Sequence, residues 1–149
     1  MSEGYILKQA EKSLPLKWYY DQSQFDLEVS KIWANDWFYV THESALNEPL
    51  SFVTVEVSKY NILLLKDRDG NINSYYNTCS HRGSVLQKDS SGKLKSNLLV
   101  CPYHQWSYNA SNGDLVRTTS INDPKDFDKE SNCLCLLYTS PSPRDNRTS

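Results

Sequence analysis

Two short clusters constrain this chain more than any other feature: Cys79-Ser80-His81 and Cys101-Pro102-Tyr103-His104. Each supplies one sulfur and one imidazole, Cys first, and residues 82–100 separate them. They contain two of only four Cys and two of only three His in 149 residues. Thiolates and imidazoles are transition-metal ligands, so the fold has to bring two such loops face to face on rigid supports. A zinc finger draws both Cys from one turn and both His from another. Here each turn supplies one of each kind, which suits two facing loops that clamp a diamond-shaped cluster of two irons. A structural Cys2His2 zinc site uses the same ligands and is the alternative. The third His, His42, has no Cys nearby and reads as a surface or hydrogen-bonded side chain.

The rest of the chain reads as supports for those loops. Residues 1–13 are polar and form a leader, and Leu14 to Tyr20 reads as an extended arm with aromatic anchors. A helix follows, capped by Asp21 or Ser23, with Phe25, Val29, Ile32 and Trp33 at i, i+4, i+7 and i+8 as a packing face. From Trp37 the period changes. Trp37 to Val40 is a strand candidate, and Phe52, Val53, Val55 and Val57 mark another. Asn61–Lys66 and Asn71–Tyr76 flank Asp67-Arg68-Asp69-Gly70, a hairpin turn with Gly where φ is positive. The second of these strands runs into the first Cys/His loop. Leu98 to Val100 runs into the second loop, and Trp106 to Tyr108 leaves it. Asn112-Gly113 then turns the chain before Leu115 and Val116. Lys88 to Lys93 reads as a solvated loop, and the sequon at Asn109-Ala110-Ser111 as chance.

Residues 76–83, Tyr-Asn-Thr-Cys-Ser-His-Arg-Gly, and 101–108, Cys-Pro-Tyr-His-Gln-Trp-Ser-Tyr, carry a resemblance. They resemble the Rieske [2Fe–2S] domain at the start of the alpha subunit of Rieske non-haem iron oxygenases. That family comprises ring-hydroxylating dioxygenases and related mono-oxygenases and N-demethylases. The likeness extends upstream through Trp18-Tyr19-Tyr20 and Ile32 to Trp37, and downstream to about Thr119. Members usually carry Gly after the second His, where this chain has Gln105.

The resemblance implies a mostly β fold of antiparallel strands with two cluster-binding loops, preceded by one N-terminal helix. It implies a Rieske [2Fe–2S] cofactor with Cys79 and Cys101 on one iron and His81 and His104 on the other. The implied function is one-electron transfer, with electrons supplied by a reductase or ferredoxin, in a protein that oligomerises. The division it suggests is 1–36 for the arm and helix, 37–132 for the Rieske domain and 133–149 for a junction and tail. Family members carry a second domain with a mononuclear iron held by two His and a carboxylate. No His follows His104, so that domain is expected to be absent, no residue is assigned a catalytic role, and the chain alone is expected to be inactive as an oxygenase. A free-standing Rieske ferredoxin is the alternative, against which the long lead-in before the β region argues. The Rieske subunit of a cytochrome complex adds a Cys to each loop, where this chain has Ser84 and Tyr103.

The codons that Cys135 to Asp145 would need resemble a transposase adapter used to prepare sequencing libraries, so 133–149 is expected to be a non-native tail outside the fold. With the two Arg and one Asp of residues 135–149 set aside, 14 basic and 17 acidic residues remain, a formal charge of −3. That balance offers no basic patch for nucleic acid or anionic lipid. No apolar run is long enough to span a bilayer. The start, Met1-Ser2-Glu3-Gly4, lacks the charged and apolar regions of a signal peptide. The expectation is a cytoplasmic protein without nucleic-acid or membrane partners.

Overall fold

The computed structural model describes residues 12–37, 39–119, 127–134 and 136–139. The leader up to residue 11, Phe38 and the tail beyond Thr139 therefore lie outside the described residues. The chain divides into two units, Met1–Phe38 and Tyr39–Ser149.

The first unit holds a 3-10 turn, Leu16–Tyr19, and the helix α1, Gln22–Glu28. Asp21 caps α1 by accepting hydrogen bonds from Ser23 N at 2.8 Å and Ser23 Oγ at 2.6 Å, as the sequence predicts. The helix does not continue with the predicted period. Val29–Trp33 forms a π turn, with Ala34 N–H reaching back to the Val29 carbonyl at 3.0 Å. Two side chains compete for backbone carbonyls there: Ser30 Oγ bonds Leu27 O at 2.9 Å and Asn35 Nδ2 bonds Ser30 O at 2.6 Å. Such insertions into the i→i−4 ladder are a known cause of local distortion. The predicted apolar face is correspondingly incomplete. Val29 is buried, whereas Phe25, Ile32 and Trp33 are each about half exposed.

The second unit is built from antiparallel strands. A five-stranded sheet has the order β4-β1-β2-β3-β8, and a three-stranded sheet the order β5-β6-β7. The strands are β1 Ser51–Val57, β2 Tyr60–Lys66, β3 Ile72–Tyr76, β4 Ser91–Lys93, β5 Leu98–Val100, β6 Ser107–Asn109, β7 Leu115–Arg117 and β8 Leu136–Thr139. β1 and β2 form a hairpin around Ser58 and Lys59, with Ser58 at φ 55°. Positive φ at the first turn position matches the strand twist of such two-residue hairpins. The β2–β3 turn follows the prediction, with Gly70 at φ 93°. Its anchor is Asp67, whose Oδ1 accepts from Asp69 N at 2.9 Å and Asn71 N at 2.8 Å.

Leu63, Leu65, Tyr75, Leu99, Tyr108 and Ala110 are fully buried and belong to one core that also contains Cys79, Cys101 and Trp106. Burying a Leu or aromatic side chain stabilises by about 1.5–3 kcal/mol, so this core is a large part of what holds the loops. Tyr75 Oη donates to the Ala110 carbonyl at 2.9 Å, linking β3 to the β6–β7 turn. Gly113 in that turn has φ 80°, and a Cβ there would lie 2.9 Å from the Tyr75 ring. Backbone conformation and close packing both require glycine at this position.

Three expectations are corrected. Trp37, Tyr39 and Val40 are not in a strand, and Trp37 and Tyr39 are exposed; aromatic β propensity reflects packing on a half-buried sheet face and does not by itself make a strand. Ser91–Lys93, expected as loop, pairs with β1 as the edge strand β4. Leu136–Thr139, expected to stand outside the fold, pairs with β3 as β8. Edge pairing uses main-chain groups, and a short β-favouring segment of any origin can supply them. Leu134, just before it, is buried in the core.

Candidate metal centre

Both Cys/His clusters fall on loops at strand ends, and the two loops have the same local structure. In the first, Cys79 N–H donates to Ser84 O at 2.8 Å and Gly83 N–H returns to Cys79 O at 2.9 Å. In the second, Cys101 N–H donates to Trp106 O at 2.8 Å and Gln105 N–H returns to Cys101 O at 2.9 Å. The β6–β7 turn repeats the pattern with Asn109, Gly113 and Asp114. The fourth residue after the start takes positive φ each time: Gly83 at 69°, Gln105 at 59° and Gly113 at 80°. Two of the three are glycine, as that conformation favours. Gln105 is the exception.

The first loop is tied at its base by Asn77, which is fully buried. Its Nδ2 donates to Asn61 Oδ1 at 2.9 Å and Gln87 O at 2.7 Å, and its Oδ1 accepts from Gln87 N at 2.9 Å. Thr78 and Val85 form a bridge across the loop neck. The second loop continues the β5–β6 ladder and is held further by Thr119 Oγ1, which donates to His104 O at 2.7 Å.

The predicted site residues are paired by kind, sulfur with sulfur and imidazole with imidazole. Cys79 and Cys101 are buried and unbridged, and each thiol shifts the ionisation of the other. The imidazoles of His81 and His104 are neighbours, with ring centroids 4.8 Å apart. His104 Nδ1 is buried and has no hydrogen-bond partner. A buried polar nitrogen without a partner is costly, and coordination to a metal is one way an imidazole nitrogen is satisfied. Among the described residues, no three His, Cys, Asp or Glu side chains are grouped as a single ion would require.

The two thiols sit in unlike electrostatic surroundings. Burial pushes the Cys79 thiol up, with Tyr108 opposing. Burial acts on Cys101 too, but the His104 and Tyr103 amides, together with Cys79 and Ser84, outweigh it and hold that thiol below its ordinary range. Burial, then the charges of His104 and Arg82, lower the His81 pKa and keep its ring neutral, as a ligand must be.

Several functional neighbours are absent from the sequence reading. Tyr108 Oη lies 3.0 Å from Cys79 Sγ and 2.9 Å from Ser80 Oγ. Trp106 stacks on His81 at 4.5 Å, and Phe127 meets Trp106 edge-on at 5.7 Å. Tyr103 lies 3.8 Å from His104. Alternation along Trp106-Ser107-Tyr108 was the available signal, since it places residues on strand faces without saying which ring meets which ligand. His42, read as satisfied, caps the Glu43–Leu46 turn by accepting from Ser44 N at 3.1 Å.

Comparison with known proteins identifies the family. The Rieske [2Fe-2S] domain family matches residues 36–128. The carnitine monooxygenase oxygenase subunit of Acinetobacter baumannii is 35% identical over 122 residues, which are 81% of this chain and 32% of that protein. The toluate 1,2-dioxygenase subunit alpha of Pseudomonas putida is 33% identical over 105 residues, 70% of this chain and 22% of its own length. The solved quaternary ammonium Rieske monooxygenase CntA with gamma-butyrobetaine superposes with TM-score 0.77 at 33% identity, covering 83% of this chain and 35% of that one. Naphthalene 1,2-dioxygenase with indole gives TM-score 0.72 at 26% identity, over 80% and 26% of the two chains. This chain thus spans about a third or less of the proteins it matches. It belongs to the Rieske [2Fe–2S] domain family, in the line found in oxygenase alpha subunits, whose work is 2Fe–2S binding and electron transfer.

Proposed function

We propose that Cys79 and Cys101 hold one iron of a Rieske cluster and His81 and His104 the other, and that the domain passes single electrons within an oxygenase subunit. The observation that carries this is the sorted pairing of the donors, sulfur with sulfur and imidazole with imidazole, together with the orphaned His104 Nδ1. When bound, the cluster accepts and releases one electron. Thiolates are the stronger anionic donors and favour the iron that stays ferric, while neutral imidazoles leave the other more readily reduced. Trp106 stacks on one face of His81, and Phe127 packs edge-on against Trp106. His81 and His104 are half-buried, so their outer edges are the short route for electrons.

In the intact protein the electrons come from a reductase or ferredoxin and go to a mononuclear iron, and the subunits assemble as an oligomer. The family resemblance supports these roles over a free-standing carrier. Carnitine and toluate oxygenases match at 35% and 33% identity, so these residues do not select a substrate class. No helix among the described residues is long and apolar enough to cross a membrane, and a cytoplasmic setting suits unbridged thiols.

The test is nitrogen hyperfine spectroscopy of the reduced protein. Two imidazole couplings are expected, with one lost in each of His81→Cys and His104→Cys and the potential lowered toward that of four-thiolate clusters. Unchanged couplings in either variant would remove that residue from the ligand set.

A further inference from the structure

Cys79 and Ser80 compete for one hydrogen. Tyr108 Oη is 3.0 Å from Cys79 Sγ and 2.9 Å from Ser80 Oγ, and a phenol has a single hydrogen to donate. Ser80 also has one, and it is committed elsewhere: Ser80 Oγ is 2.6 Å from the Asn132 carbonyl oxygen, which can only accept. Ser80 therefore presents only lone pairs to Tyr108. It cannot reinforce the phenol's bond to sulfur by donating to Tyr108; it can only draw the hydrogen toward itself.

The acceptor that fixes Ser80 is itself anchored. Asn132 N–H donates to Lys129 O at 3.1 Å, and Asn132 Nδ2 donates to Asp128 O at 2.7 Å. The Asp128 carboxylate takes Glu130 N at 3.0 Å and Ser131 N at 3.2 Å. Two residues on, Leu134 N–H bonds Gly113 O at 2.9 Å. The turn that carries the Asn132 carbonyl is thus pinned to itself and to the β6–β7 turn.

We infer that Ser80 is a positioning residue that lowers the reduction potential, because it draws the Tyr108 hydrogen away from the Cys79 sulfur while Asn132 fixes its own. The inference rests on Cys79 being a cluster ligand. Reduction adds negative charge at the cluster and makes its sulfurs better acceptors. A hydrogen bond to Cys79 Sγ consequently favours the reduced form, and sharing that hydrogen with Ser80 weakens the effect.

The experiment is potentiometry with electron paramagnetic resonance on the cluster-containing 149-residue chain, with iron and labile sulfide counted for each variant. Ser80→Ala should move the reduction equilibrium roughly threefold toward the reduced form, about 28 mV upward at 59 mV per tenfold for one electron. Ser80→Thr, which keeps the hydroxyl, should return the parent value. Ser80→Ala in a Tyr108→Phe background should match Tyr108→Phe alone, because no hydrogen is left to divide. Ser80→Gly serves the same purpose if Ser80→Ala does not hold the cluster. A hydroxyl-free variant with an unchanged or lowered potential, or a shift that persists without the phenol, overturns the role of Ser80. Parent protein without labile sulfide would instead overturn the cluster reading beneath it.

Discussion

Gln105 occupies a backbone conformation that its two counterparts give to glycine, and the strain should be measurable. The loops starting at Cys79, Cys101 and Asn109 share one hydrogen-bond pattern, with Gly83, Gln105 and Gly113 at φ 69°, 59° and 80°. A side chain in the left-handed region costs roughly 1–2 kcal/mol. Glycine gives back about 0.5–1 kcal/mol of that through its larger loss of chain entropy on folding. Gln105→Gly should therefore stabilise the protein by about 0.5–1 kcal/mol, or roughly 1–4 °C in Tm for a chain of this size. The reciprocal change isolates the backbone effect. A Cβ on Gly83 would meet nothing within 4 Å, so Gly83→Ala carries conformational strain without a clash and should destabilise by about 1 kcal/mol. Thermal unfolding followed by far-ultraviolet circular dichroism, with cluster absorbance in parallel, reads both changes. A destabilised Gln105→Gly would show that the Gln105 side chain makes a compensating contact, and a neutral Gly83→Ala would show that the loop relaxes out of the conformation. Either result refutes the strain argument.

Other consequences follow from named contacts. Tyr108→Phe removes the hydroxyl 3.0 Å from Cys79 Sγ. The difference of about 1 kcal/mol between hydrogen bonds to charged and to neutral acceptors predicts a potential lower by roughly 40 mV for one electron, read by potentiometry. Asp67→Ala removes two short bonds to backbone amides from a buried carboxylate and should cost about 3 kcal/mol at neutral pH in urea unfolding. Although burial alone would raise the Asp67 pKa, the Asn71, Ser111 and Asp69 donors lower it on balance. Its stabilising share is then complete above the ordinary carboxylate pKa near ~3.9 and lost as pH falls through the lower folded value, so the deficit of the variant should shrink only in strong acid. The 149-residue chain, with no His after His104, should put no labelled oxygen into aromatic or quaternary-amine substrates when supplied with reductant.

The parts of the fold legible in the sequence are those where local chemistry and tertiary role agree. Alternation marked β1, turn residues at Asp67 to Gly70 and Asn112-Gly113 marked the hairpins, and the apolar run Leu98 to Val100 marked β5. The Cys/His spacing pointed to the site because few other residue types can do that chemistry. What was hidden depends on partners distant in the chain. β4 is Ser-Gly-Lys and becomes a strand only because Phe52 and its neighbours present an edge, with Gly92 leaving room for the Phe52 ring. Trp37, Tyr39 and Val40 read as strand residues in the sequence but lie outside the sheets. Tyr108 and Ser80 are 28 positions apart, and no periodicity joins them. The π turn at Val29 arises from Ser30 and Asn35 side chains taking backbone carbonyls, an effect invisible to a helical-wheel count.

Counting metal and sulfide in the oxygen-protected protein tests the central claim most directly. Two irons and two acid-labile sulfides per chain are predicted, with both lost when Cys79 or Cys101 is replaced by Ala. One zinc per chain with no labile sulfide would contradict the assignment of Cys79, His81, Cys101 and His104 to a Rieske cluster.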